Sequence, residues 1–115
     1  MWLFTQHGFL SAVQHYDNPD TIVVRARDKR SLEMLAELVD LEIINTPGND
    51  YPYRVHAPRG EFMSYLMTEV EMLNYGNFKD QLHSSRGERY YGAASRVWRV
   101  MHDVEDPFAR ERNNA

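Results

Sequence analysis

The chain has 115 residues, 43% of them hydrophobic and 26% charged, with a formal net charge of −4. That size and balance predict one domain with its own core rather than a disordered segment, and the net acidity argues against wholesale binding to a phosphate backbone. The sequence has no cysteine, which excludes disulfides, zinc–thiolate sites and a cysteine nucleophile, and fits a reducing compartment such as the cytoplasm.

Trp2 to Gln6 and Phe9 to His15 are aromatic and β-branched runs separated by His7-Gly8, the pattern of a hairpin. Gln6, His7 and Gly8 also break the apolar start, which lacks a basic flank; it reads as neither signal peptide nor membrane span. Asp17-Asn18-Pro19-Asp20 is a strong turn, and Thr21 to Arg27 then alternates, with Ile22, Val24 and Ala26 opposed to Val23, Arg25 and Arg27. Asp28 can cap a helix whose apolar positions are Leu32, Leu35, Ala36 and Val39, ending near Asp40.

Leu41 to Asn45 reads as a short strand and Tyr51 to Ala57 as another, with the turn at Thr46 to Asp50 between them and Pro52 at an edge. After Pro58 a second helix places Phe62, Tyr65, Leu66, Val70 and Leu73 on one face and is expected to end near Gly76 in a left-handed turn. A third begins at Asn77, is interrupted at Gly87, and carries an apolar stripe of Tyr90, Ala94, Val97, Met101 and Val104, with Tyr91 and Trp98 beside it, that has to pack on something. The Gly76-Asn77 corner reads as a helix–turn–helix bend that folds the last helix back on the body. Residues 1–106 form the expected domain and 107–115 a flexible polar tail.

The order β-β-β-α-β-β-α-α predicts an α+β fold: an antiparallel sheet of about five strands with helices on one side, its β-α-β-β-α portion compatible with a ferredoxin-like split unit.

Motifs for chemistry are sparse. The histidines His7, His15, His56, His83 and His102 are scattered without metal-ligand spacing, and the pairs Asp17/Asp20 and Glu105/Asp106 sit where turns and helix ends favour acids. No nucleophile elbow or glycine-rich phosphate loop is present. The expectation is therefore a non-enzymatic protein with no metal and no cofactor.

Charge is uneven: residues 1–78 hold six Lys and Arg against eleven Asp and Glu, whereas residues 79–102 hold five against two. Arg86, Arg89, Arg96 and Arg99 recur at helical spacing, and with Tyr51 and Tyr53 they are the expected partner-binding residues. A plain solvated helix face is the simpler account of these arginines. Arg25, Arg27 and Arg54, with Tyr51 and His56 nearby, form an alternative basic and aromatic sheet face for nucleic acid or phosphate; pairing with the abundant carboxylates is the simpler account there. Trp2 and Phe4 on a potential edge strand leave room for a homo-oligomer.

Finally, TQHGFLSAV, VVRAR, TPGNDYPYRV, NYGNFKD and the Tyr-rich segment leading to RVWRV resemble a family of short, functionally uncharacterised proteins of actinobacteria and their bacteriophages. The resemblance spans nearly the whole chain and carries no catalytic residue with it. It implies a small cytoplasmic accessory protein, phage-encoded; combined with the absence of catalytic motifs, that setting gives the expectation of a protein that binds and modulates a host bacterial protein, and no membrane association is expected.

Overall fold

The computed structural model describes residues 1–108; of the expected tail, 109–115 lie outside the described residues. Five strands, β1 (Trp2–Thr5), β2 (Gly8–Gln14), β3 (Thr21–Ala26), β4 (Ile44–Asn45) and β5 (Tyr53–Pro58), alternate with α1 (Glu33–Val39), α2 (Arg59–Glu71), α3 (Phe78–Arg86) and α4 (Glu88–Val100). Short 3₁₀ turns precede α1 and follow α4. The strands form one antiparallel sheet in the order β1-β2-β3-β5-β4. The α+β architecture is thus the expected one. Within it β5 lies between β3 and β4, as in a ferredoxin-like split unit, and the N-terminal strand β2 takes the place beside β3 that a strand after α2 would fill in that fold.

Register assigns the two faces. Leu3 pairs with Leu10, Ala12 with Val24, Ile22 with Ala57 and Val24 with Val55, so these side chains share one side of the pleat. The 3₁₀ turn, α1 and α2 cover that side, and Leu10, Val24, Leu32, Leu35, Val55, Phe62 and Tyr65 form the core between them. Each fully buried aliphatic side chain there contributes roughly 1.5–3 kcal/mol. The opposite side carries Trp2, Phe4, Phe9, Ser11, Val13, Val23, Arg25, Arg54 and His56, and among the described residues no helix lies flat across it.

Helix ends follow local chemistry. Asp28 Oδ1 accepts the Ser31 amide at 3.0 Å and so opens the turn into α1, which closes at Asp40 in the left-handed region (φ 55°). Asn77 Oδ1 accepts the Asp80 amide at 3.1 Å and starts α3. Gly87, at φ 84°, separates α3 from α4, where the sequence predicts an interruption.

Two expectations fail on packing grounds. Helix α2 ends at Glu71 rather than near Gly76, whose φ is not positive; Phe62, Tyr65 and Leu66 of its expected face reach the sheet core, whereas Val70 and Leu73 are exposed. The stripe along α4 and the 3₁₀ turn after it is mostly bare: Ala94 is buried, but Val97, Trp98, Met101 and Val104 are exposed. The α3–α4 hairpin therefore stands off as an arm. The principal extents are 51 × 32 × 31 Å and the radius of gyration is 16.3 Å, against about 13 Å for a compact chain near this length.

Candidate functional site

The arm is tied to the body at the β1–β2 turn, and Arg86 is the tie. Its guanidinium donates to Asp28 Oδ2 at 2.7 Å, to Ser31 Oγ at 3.1 Å and to the His7 carbonyl, while the plane stacks 4.1 Å from the Tyr90 ring centroid. Its side chain is only 9% exposed. Arg86 is thus a buried clamp at the end of α3, not one of the free arginines of the last helix that the sequence spacing suggests. Burial opposes ionisation of Asp28, yet hydrogen bonds from Ser31 and Arg86, with the Arg86 charge, carry its pKa below the ordinary value. Tyr90 completes the joint: its hydroxyl lies 2.9 Å from Ser31 Oγ and accepts the Phe9 amide at 3.4 Å. Gly8 is required here, since at φ 143° a Cβ would overlap Ser31 Oγ.

Beyond this joint the arm offers two features to solvent. Arg89, Arg96 and Arg99 are exposed on α4, and no ion pair holds them among the described residues. Around the apolar side lies a cleft of about 400 Å³, walled by Phe4 of β1, Phe78 and Lys79 of α3, and Ala94, Val97 and Trp98 of α4. The Lys79 ammonium sits 4.2 Å from the Trp98 ring centroid at its rim. The sequence reading missed this cleft as a unit, although Phe4 and Trp98 each stand out as aromatics on amphipathic elements.

On the uncovered sheet face the structure brings Arg25, Arg27 and Tyr51 together. Both guanidinium carbons lie 4.7 Å from the Tyr51 ring centroid, so the ring, 8% exposed, is enclosed between two cations. Arg25 also donates to Ser11 Oγ at 2.7 Å, and Arg27 pairs with Asp50 at 3.1 Å. Arg54 lies opposite Arg25 in the ladder and donates to the Tyr51 carbonyl at 3.4 Å. His56 follows on the same face, with His15 at a ring distance of 5.5 Å. Burial pushes the His56 pKa down, and the charges of His15 and Arg54 push it further. Tyr53 does not join this group. It points to the helix-covered side, at the margin of the core, so Tyr51 and Tyr53 belong to different surfaces.

One buried ionisable pair lies behind the joint. His7 Nδ1 approaches Glu69 Oε1 to 2.8 Å, and both atoms are shielded from water. Burial raises the Glu69 pKa, opposed by the charge and hydrogen bonding of His7. The same burial, with the Glu69 charge, raises the nearby Tyr65 phenol far above its ordinary value.

Among the described residues no group of three His, Cys, Asp or Glu side chains is placed to hold a metal ion, and no helix is long and apolar enough to cross a membrane. The chain matches no family model, no curated protein sequence and no solved structure.

Proposed function

We propose that the protein is a small non-enzymatic binding protein that engages another protein through α4. One observation carries this reading: α4 is an amphipathic helix whose apolar residues Val97 and Trp98 stand in solvent although the helix is fully formed, as does Met101 at the start of the 3₁₀ turn that follows. Docking that stripe removes apolar area from water at about 25 cal/mol per Å², with no helix to order first. Val97 and Met101, four residues apart, have the spacing of a helix laid into a groove. Arg89 and Arg96 share a flank seven residues apart, and Arg99 follows, so the matching groove is apolar with an acidic rim. The resemblance to actinobacterial phage proteins makes a host bacterial protein the partner class and the bacterial cytoplasm the setting.

The test is capture from nuclease-treated bacterial lysate with wild-type protein, Met101→Asp and Arg96→Glu, each checked for unchanged circular dichroism. A stoichiometric protein retained by wild type, lost from Met101→Asp and weakened by Arg96→Glu is the expected result. Equal capture by wild type and Met101→Asp, or none by either, refutes the reading.

The crowding of cations at His56 and around Tyr51 favours a second reading, nucleic acid or a nucleotide on the sheet face through Arg25, Arg27 and Arg54. It requires binding of a labelled single strand that weakens steeply with salt and is lost in Arg54→Glu. Salt-insensitive binding counts against it.

A further inference from the structure

The outer edge of β1 is open. Met1 exchanges two backbone hydrogen bonds with Ala12, each 2.8 Å, which fixes the phase of the β1–β2 ladder: Met1, Leu3 and Thr5 turn their amide and carbonyl groups inward, and Trp2 and Phe4 turn theirs outward. No backbone or side-chain group of the described residues meets those outward groups. The strand carries no charge, no proline and no bulge, so the usual devices that protect an edge are missing except its four-residue length. Trp2 rests on Phe9 by one edge (centroids 5.6 Å apart) and remains 70% exposed. Phe4, two residues on and on the same face, forms a wall of the apolar cleft under α4.

We infer that β1 is the interface of a two-fold homodimer in which the sheets of two copies join edge to edge. An antiparallel pairing centred on Leu3 sets Trp2 against the partner's Phe4 and Phe4 against the partner's Trp2. All four outward amides and all four outward carbonyls are then satisfied in four hydrogen bonds. The same register places the partner's Trp2 beside Phe4, at the mouth of the cleft, and symmetry fills both clefts at once. Cross-strand aromatic pairs of this kind favour pairing over an unfilled edge. The occupant is a second copy because the Trp2 knob and the Phe4 wall of the cleft lie two residues apart on one strand and so meet their counterparts only about a two-fold axis. An unrelated extended peptide would satisfy the hydrogen bonds but has no assigned side chain for the cleft. The short strand also limits the contact to one partner, so assembly closes at two.

Sedimentation and light scattering of protein with a free N-terminus, across a concentration series, test this directly. The expected mass is twice the 13.6 kDa of one protomer. Trp2→Lys, at an exposed position that leaves the fold intact by circular dichroism, is expected to return the protomer mass or to raise the dissociation constant at least ~10-fold. Phe4→Pro removes an amide that the β1–β2 ladder does not use, and is expected to weaken the dimer likewise. Met101→Asp, outside the cleft wall, should leave it intact. A wild-type monomer at all concentrations, a dimer that survives Trp2→Lys, or open polymers in place of a closed pair would each overturn the inference.

Discussion

Replacing Arg86 with Met is the sharpest perturbation of the architecture. The substitution keeps the aliphatic stem and its contact with Tyr90, but leaves Asp28 Oδ2 and the His7 carbonyl without their donor. Removing one partner of a fully buried ion pair costs roughly 3–5 kcal/mol. Asp28 is 38% exposed and water recovers part of that loss, so the expectation here is about 2–3 kcal/mol. In urea this is a fall of the unfolding midpoint by about 1–2 M with little change of slope. The pH dependence has a definite sign. Because the folded-state pKa of Asp28 is depressed, its contribution is complete above the unfolded value and disappears as pH falls through the folded one. The gap between wild type and Arg86→Met should therefore narrow in acid. A cycle with Asp28→Asn should show coupling of about 1 kcal/mol or more. A loss below about 0.5 kcal/mol, or strict additivity of the two substitutions, would refute the clamp.

Gly8→Ala forces a Cβ into Ser31 Oγ at a backbone angle that side chains rarely adopt, and is expected to cost about 3 kcal/mol in urea unfolding; a neutral result would mean that the joint is loose. Glu69, whose folded pKa is raised by burial, contributes stability below its unfolded pKa that is lost as pH rises through the folded value. Glu69→Gln should flatten that limb of the stability–pH curve, and an unchanged curve would remove the buried carboxyl from the account.

What the sequence discloses depends on how local the cause is. The alternation of Ile22, Val24 and Ala26, and of Tyr53, Val55 and Ala57, identifies β3, β5 and their buried side, since the pleat alone fixes it. Asp28, Asn77 and Gly87 mark helix boundaries for the same reason: each acts on amides within three residues. Tyr51 and Tyr53 separate because Tyr51 lies before β5, beyond Pro52, where strand alternation does not hold. Helical spacing likewise gives Arg86 a direction but not its burial, which comes from Asp28 and the β1–β2 turn, more than fifty residues earlier in the chain. The cleft joins Phe4 to Trp98 across nearly the whole chain, so no local pattern announces it. The stripe on α4 was legible as a stripe; that Val97, Trp98 and Met101 stay exposed is a fact of tertiary structure.

That bare stripe has a dynamic consequence. Leu82 alone of α3 and Ala94 alone of α4 are buried, whereas α2 buries Phe62 and Tyr65 in the sheet core. The arm is held mainly by polar links: those of Arg86 and Tyr90, Ser85 Oγ donating to the Gln6 carbonyl at 2.5 Å, Gln81 donating to Gln6 Oε1 at 3.0 Å, and Arg30 donating to the Ser85 carbonyl at 3.1 Å. Polar links of this kind exchange for water at little net gain when the arm lifts, and only two of its apolar side chains are buried with them. The arm should open while the sheet stays folded. Hydrogen exchange should accordingly find α3 and α4 amides exchanging well before those of β3 and β5, with a weaker dependence on denaturant. In Arg86→Met the difference should widen, because the joint is weakened and the core is not. Equal exchange of arm and sheet, with a common denaturant slope, would show that the hairpin folds only with the body, and that a partner meets α4 as a rigid ridge and not as an adjustable one.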